Sequence, residues 1–328
     1  MAALIRSPEP VRLLDATALG LAEPAPPAKG HASNQPDDPE LGSRDPRYLE
    51  VLGLLDRFGG VIFTGPPGTS KTYFAHQIAE KLAGGKERVT FVQFHPSYQY
   101  EDFMQGFVPK KDGTGFKMVD KSFVEVCQAA DKDREHRHVL VIDELSRGDP
   151  GRVFGEALTY VDRTKRELEF RLASGDMCFV PANVVVLATM NPYDRGVDEV
   201  DAAFERRFAK IAMEPDPELL QQLLERNGLE PAVRQRLMTF FRMVNGRAEA
   251  NPQGTVGHTY FTNVDDAASL RMVWDYQLRF LIEKAYRLDR GTGSEIKAAW
   301  ATVVAAAEEA DQEAEGESPA PEPSAPPE

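Results

Sequence analysis

Residues 61–72 read Val-Ile-Phe-Thr-Gly-Pro-Pro-Gly-Thr-Ser-Lys-Thr, and this stretch decides the fold. Val61 to Thr64 form an apolar strand that runs into a glycine-containing turn, and a Lys-Thr pair then opens a helix. The pattern is a phosphate-binding loop, G-x-x-x-x-G-K-[ST], with Ser70 in place of the last glycine. Gly65, Pro66, Pro67, Gly68, Thr69, Ser70, Lys71 and Thr72 are therefore the candidate phosphate-binding residues. Backbone N–H groups of such a turn point at a phosphate, and the helix dipole favours its negative charge. Lys71 can reach the outer phosphates as a point charge, and the Thr72 hydroxyl can ligate Mg²⁺.

Around the loop, strand and helix patterns alternate. Tyr48–Phe58 reads as a helix that stops at Gly59-Gly60. The helix from Ser70 places Phe74, Ile78 and Leu82 on one face and ends at Gly84-Gly85. Further strands are expected at Val89–Phe94, Val139–Ile142, Val184–Thr189 and Phe208–Met213. These near-continuous apolar runs fit parallel strands buried on both faces. The class expected is α/β, an open parallel sheet covered by helices, with ligands at the carboxyl ends of the strands. After Pro215-Asp216-Pro217 the apolar spacing becomes helical throughout. The organisation expected is a Pro-rich disordered segment 1–46, an α/β subdomain 47–215, a small all-helical subdomain 216–306 and an acidic disordered tail 307–328.

Composition narrows the function classes. The chain has 328 residues and a net charge of −14, and residues 308–328 hold eight acids with no Lys or Arg, so most of that charge lies in the tail. A grip on nucleic acid by whole-domain charge is not expected. Two cysteines, Cys127 and Cys178, stand far apart in no metal-ligand spacing, which points to a reducing compartment. No apolar run approaches a membrane span, and Arg6, Pro8 and Pro10 interrupt any secretory core, so a cytoplasmic protein is expected. His95 reads as structural, and no zinc spacing occurs.

The chemistry beyond the loop sits at strand ends. Val139 to Ile142 lead into Asp143-Glu144, where Asp143 can hold the Mg²⁺ shell and Glu144 can activate a water. The Val184–Thr189 strand leads to Met190-Asn191-Pro192-Tyr193-Asp194-Arg195. Asn191 can contact a γ-phosphate or the attacking water, or simply cap a turn. Arg206 and Arg207 precede the last strand; they can pair with Glu205 or reach a neighbouring subunit's nucleotide. Phe107–Val119 reads as a hairpin carrying Lys110, Lys111 and Lys117, and 168–180 as a second hairpin.

The ordered set Gly65–Thr72, Asp143-Glu144, Asn191 and Arg206-Arg207 resembles an AAA+ nucleoside triphosphatase, and more narrowly the McrB type, the motor subunit of methylation-dependent restriction systems. Residues 93–107, 142–156, 189–195 and 256–261 carry the narrower likeness, which covers about 48–290. The resemblance implies that Asn191 is sensor 1, that Asp194 belongs to the signature loop, that Arg206 and Arg207 act in trans, and that the segment near His258 takes the sensor-2 place. It implies ATP or GTP with Mg²⁺, a ring that is commonly hexameric, a separate effector subunit such as a nuclease, and DNA engaged through the complex. Loop residues touch phosphates, so they do not choose between ATP and GTP. Ser70, Leu145-Ser146 and Pro192-Tyr193 depart from the family pattern; a small side chain at position 70 is sterically tolerable and bears on turnover more than on binding. A MoxR-like protein-remodelling chaperone and a non-hydrolysing scaffold are the competing roles.

Overall fold

A computed structural model describes residues 45–193 and 202–316. The strands are β1 (Gly60–Thr64), β2 (Val89–Gln93), β3 (Gln105–Pro109), β4 (Phe116–Asp120), β5 (His138–Asp143), β6 (Phe170–Arg171), β7 (Met177–Cys178), β8 (Val184–Met190) and β9 (Phe208–Ala212). Five of them form one parallel sheet in the order β2-β5-β8-β1-β9. β1 lies between β8 and β9, with Gly60 opposite both Val186 and Phe208. This order sets the carboxyl ends of β1, β8 and β5 side by side, where the site forms.

The strands are apolar on both faces because both faces are covered. Ile62, Leu140, Ile142, Val186 and Ala188 pack on one face with Phe103, Phe123 and Phe154. The alternate residues Val61, Phe63, Val139, Val141 and Leu187 pack on the other, against Ala75, Ile78 and Ala79 of the helix Lys71–Ala83. Each of the larger side chains, from valine to phenylalanine, contributes roughly 1.5–3 kcal/mol of burial. The helix Pro46–Leu55 starts on an Asp45 cap with Pro at its first position, and it ends before the Phe58 expected of it.

Past β9 the chain is helical, with its own core. The helices Pro217–Arg226 and Pro231–Ala248 each begin with an acidic cap and a proline. Phe240, Phe241, Phe261, Trp274 and Trp300 centre this core, and Trp274 stacks on Trp300 at 5.3 Å. One boundary differs from the expected organisation. The last helix runs Arg290–Gly316, so residues 307–316 continue the helix instead of starting a disordered tail. Its inner face holds Ile296, Trp300, Val303 and Ala307, while Glu308 pairs with Arg271 and Asp311 accepts from the Ala267 N–H at 3.2 Å. Alanine and glutamate are strong helix formers, and packing of the preceding turns carries the helix onward. Both hairpins form; the second is reduced to two short strands, β6 and β7. Among the described residues, no helix is long and apolar enough to cross a membrane.

Candidate nucleotide site

β1 delivers the loop 65–70, and the helix Lys71–Ala83 leaves it. Two loop residues have positive φ: Gly68 at 79° and Ser70 at 62°. For Ser70 this changes the sequence-based view. Side-chain volume is not what opposes a serine here; the left-handed backbone is, at about 1–2 kcal/mol for an L-residue. Within the loop, Thr69 Oγ1 donates to the Pro66 carbonyl at 3.0 Å, and Lys71 Nζ donates to the same oxygen at 2.6 Å. Lys71 thus lies across the loop it would share with a phosphate.

At the adjoining strand ends, the Thr72 hydroxyl donates to Asp143 Oδ1 at 2.8 Å. The Thr189 hydroxyl donates to the same Oδ1 at 2.5 Å and accepts from the Glu144 N–H at 3.2 Å. Thr189 is buried and was not among the expected site residues; its signal is the one hydroxyl in an otherwise apolar strand, a residue type that also suits strands for packing alone. Glu144 has φ 55° and pairs through Oε2 with Arg147 Nε at 3.0 Å. A hydroxyl beside one carboxylate suits a hard cation that takes its remaining oxygens from water and phosphates. Among the described residues, no cluster of three or more His, Cys, Asp or Glu suited to a metal occurs.

The other expected residues divide. Asn191 is buried at the end of β8, and its Oδ1 accepts from the Tyr193 N–H at 3.1 Å, the turn-capping role. Asp194 lies outside the described residues. Arg206 and Arg207 stand at the amino end of β9, the opposite edge of the sheet from the loop. The Arg207 carbonyl accepts from the Gly59 N–H at 2.8 Å. Arg206 is exposed, whereas Arg207 is half-buried and turned back to the Ala203 carbonyl. Glu205 pairs with neither; it holds Lys210 at 2.5 Å.

The helical subdomain closes over the loop. The Thr259 N–H donates to the Gly68 carbonyl at 3.1 Å, and His258 Nε2 lies 2.8 Å from Ser70 Oγ. Burial holds the His258 imidazole below its ordinary value. Beside this contact, a cleft of about 450 Å³ runs between Pro66 and Tyr193 on one side and Arg242, Asn245 and Thr255 on the other. That volume is in the range of small-molecule sites, roughly 300–1,000 Å³. Distant from it, the β3–β4 hairpin exposes Phe107 and Phe116 on one face, with Lys110, Lys111 and Lys117 also exposed.

The AAA domain family of the dynein-related subfamily matches residues 60–208. The McrB subunit of the type IV methyl-directed restriction enzyme EcoK from Escherichia coli K12 is 34% identical over 242 residues, covering 68% of this chain and 52% of its own length. YdiS, a component of the type II restriction enzyme BsuMI from Bacillus subtilis 168, is 28% identical over 191 residues, covering 45% of this chain and 55% of its own. This chain spans about half the length of these relatives. A solved chain from Cytophaga hutchinsonii aligns with 73% of this chain and 79% of its own at 12% identity and a TM-score of 0.36, too slight a likeness to carry an argument. The parallel sheet, the loop and these matches converge on one fold: residues 60–208 match the AAA domain family of the dynein-related subfamily, and the chain is similar to the McrB type of AAA+ protein.

Proposed function

We propose that the chain is the Mg²⁺-dependent nucleoside-triphosphate-hydrolysing motor of a restriction-type DNA-processing complex, working as a ring with a separate effector subunit. The observation that carries this reading is the meeting of Thr72 and Asp143 at 2.8 Å beside Lys71 and Glu144. Thr72 and Asp143 would hold the cation, which when bound neutralises charge on the phosphate oxygens. Lys71 would exchange the Pro66 carbonyl for a phosphate oxygen. Glu144 would leave Arg147 to orient and deprotonate the attacking water, and Thr189 holds both acidic residues in place, one by its carboxylate and one by its backbone.

The place of Arg206 supports the ring. At the far edge of its own sheet it is out of reach of its own loop, so an arginine-finger role requires a neighbouring copy. Arg207, committed to its local carbonyl, is the weaker candidate of the pair. The two restriction relatives, one a subunit and the other a component of a restriction enzyme, support a partner of nuclease type over a protein-remodelling role. The test is turnover of ATP and of GTP by the purified chain, with and without DNA. Hydrolysis lost in Lys71→Ala and stimulated by DNA is expected. Turnover that survives Lys71→Ala rejects the site, and stimulation by a protein substrate but not by DNA favours a chaperone.

A further inference from the structure

The one departure in the phosphate loop has a partner 188 residues away. Ser70 Oγ lies 2.8 Å from Nε2 of His258, a side chain only 3% exposed. The Asp216 N–H donates to the other ring nitrogen, Nδ1, at 3.3 Å. Nδ1 is then unprotonated, so Nε2 carries the hydrogen and donates to Ser70.

Asp216 is itself held rigidly. Its Oδ1 caps the helix Pro217–Arg226 through Glu218 and Leu219, and its Oδ2 pairs with Arg47 at 2.9 Å. Arg47 in turn covers the ring of Phe74, in the helix that follows the loop, at 4.6 Å. The imidazole is therefore aimed by a frame attached to both subdomains. Next to it the backbones nearly touch: a Cβ on Gly257 would lie 2.1 Å from the Gly68 carbonyl oxygen. A glycine at position 70 would keep the backbone contact and lose the only side-chain bond between position 70 and the helical subdomain among the described residues.

We propose that Ser70 and His258 form a latch that holds the helical subdomain down on the phosphate loop, and that His258 is a positioning residue that sets the rate of nucleotide release. The proposal rests on the nucleotide-binding reading of the loop. The latch accounts for a serine at a glycine-type position, because the bond to His258 offsets the cost of the left-handed backbone. His258 acts through Ser70 and has no chemical step of its own.

The experiment uses the full chain loaded with a fluorescent ATP analogue and chased with unlabelled ATP in a stopped-flow instrument. Ser70→Gly and His258→Ala should each speed release by about five- to tenfold, the scale of one partly buried hydrogen bond. The double variant should release no faster than the faster single variant, because both remove the same bond. His258→Gln, whose amide can donate to Ser70, should stay within about twofold of the wild type. Multiplicative effects in the double variant overturn the latch, as do wild-type rates in both single variants. A fall in melting temperature in His258→Ala that is shared by His258→Gln and absent from Ser70→Gly reduces His258 to a packing residue and also overturns it. If the wild type holds no nucleotide, the functional reading fails and the latch with it. Binding that is lost in Lys71→Ala, with release unchanged in the latch variants, rejects the latch alone.

Discussion

The two edges of the central sheet both hold charged groups, and they treat them in opposite ways. At the amino edge, Arg166 is 8% exposed and its guanidinium donates to four carbonyls, those of Gly59, Val161, Pro181 and Val184, at 2.9 to 3.1 Å. Burial lowers its pKa to about 10, and among the described residues it forms no ion pair with a carboxylate. At the carboxyl edge, Asp143 and Glu144 lean on hydroxyls and on an exposed arginine. A charge with four of its five donors taken by backbone is a brace. Acids held by hydroxyls and one surface ion pair are free to change partners, because surface pairs contribute only about 0–1 kcal/mol. The difference separates a stabilising cluster from a reactive one without reference to residue type.

Arg206 is the group that would break this contrast, since it stands on the bracing edge and is assigned chemistry. Arg206→Ala should lower turnover by roughly 10³–10⁵-fold if it serves as a finger. Mixing it with a Glu144→Gln chain should restore part of the activity, because each supplies what the other lacks at shared sites. No recovery on mixing removes the trans assignment. Arg207→Ala should lose less activity and more stability, given its inward bond. On the carboxyl edge, Glu144→Gln should retain nucleotide and hydrolyse it roughly 10²–10⁴-fold more slowly. Equal binding and turnover in that variant would leave Glu144 without a catalytic role.

Arg166→Ala tests the brace directly. Four carbonyls lose their donor together, and unfolding by urea should show a loss of about 3 kcal/mol, with unchanged nucleotide affinity in the molecules that stay folded. Arg166→Lys should recover little, since an ammonium has three donors and no fork to span four acceptors. A stability loss under about 1 kcal/mol would class Arg166 with ordinary surface residues.

The sheet was readable because its signal is local. Val139–Ile142 and Val184–Thr189 are apolar runs that permit no exposed face, and their bounds fall within one residue of the observed β5 and β8. Asp143 and Glu144 were readable for the same reason, as polar residues where such a run stops. Arg166 gave no signal, because its four acceptors come from segments as far as 107 residues away and none is a side chain. The His258 contact was hidden likewise: sequence marks Ser70 as a departure, and only the fold shows what faces it. The tail misled for a different reason. An Ala-Glu stretch has the composition of both a solvated tail and a helix, and the packing of Trp300 and Val303 decided for helix through Gly316.

The smallest expected effect is the pH response of the contact between the two subdomains, and it follows from the burial of His258. Burial holds the imidazole below its ordinary 6.5; the Asp216 carboxylate pulls the value up and the Arg47 guanidinium pushes it down. A histidine whose folded value is depressed favours the neutral form, so its contribution is present in full above the unfolded value. It is lost as pH falls from there through the folded value, because the open state then binds the extra proton. The geometry gives the same sign: a proton on Nδ1 ends its acceptance from the Asp216 N–H and frees the ring to turn. Nucleotide release should therefore quicken by about two- to threefold between about pH 7.5 and about pH 5.5 in the wild type and stay flat in His258→Gln. An equal response in both proteins would place the titration on other groups of the site, and a slowing in the wild type would reverse the sign argued from burial.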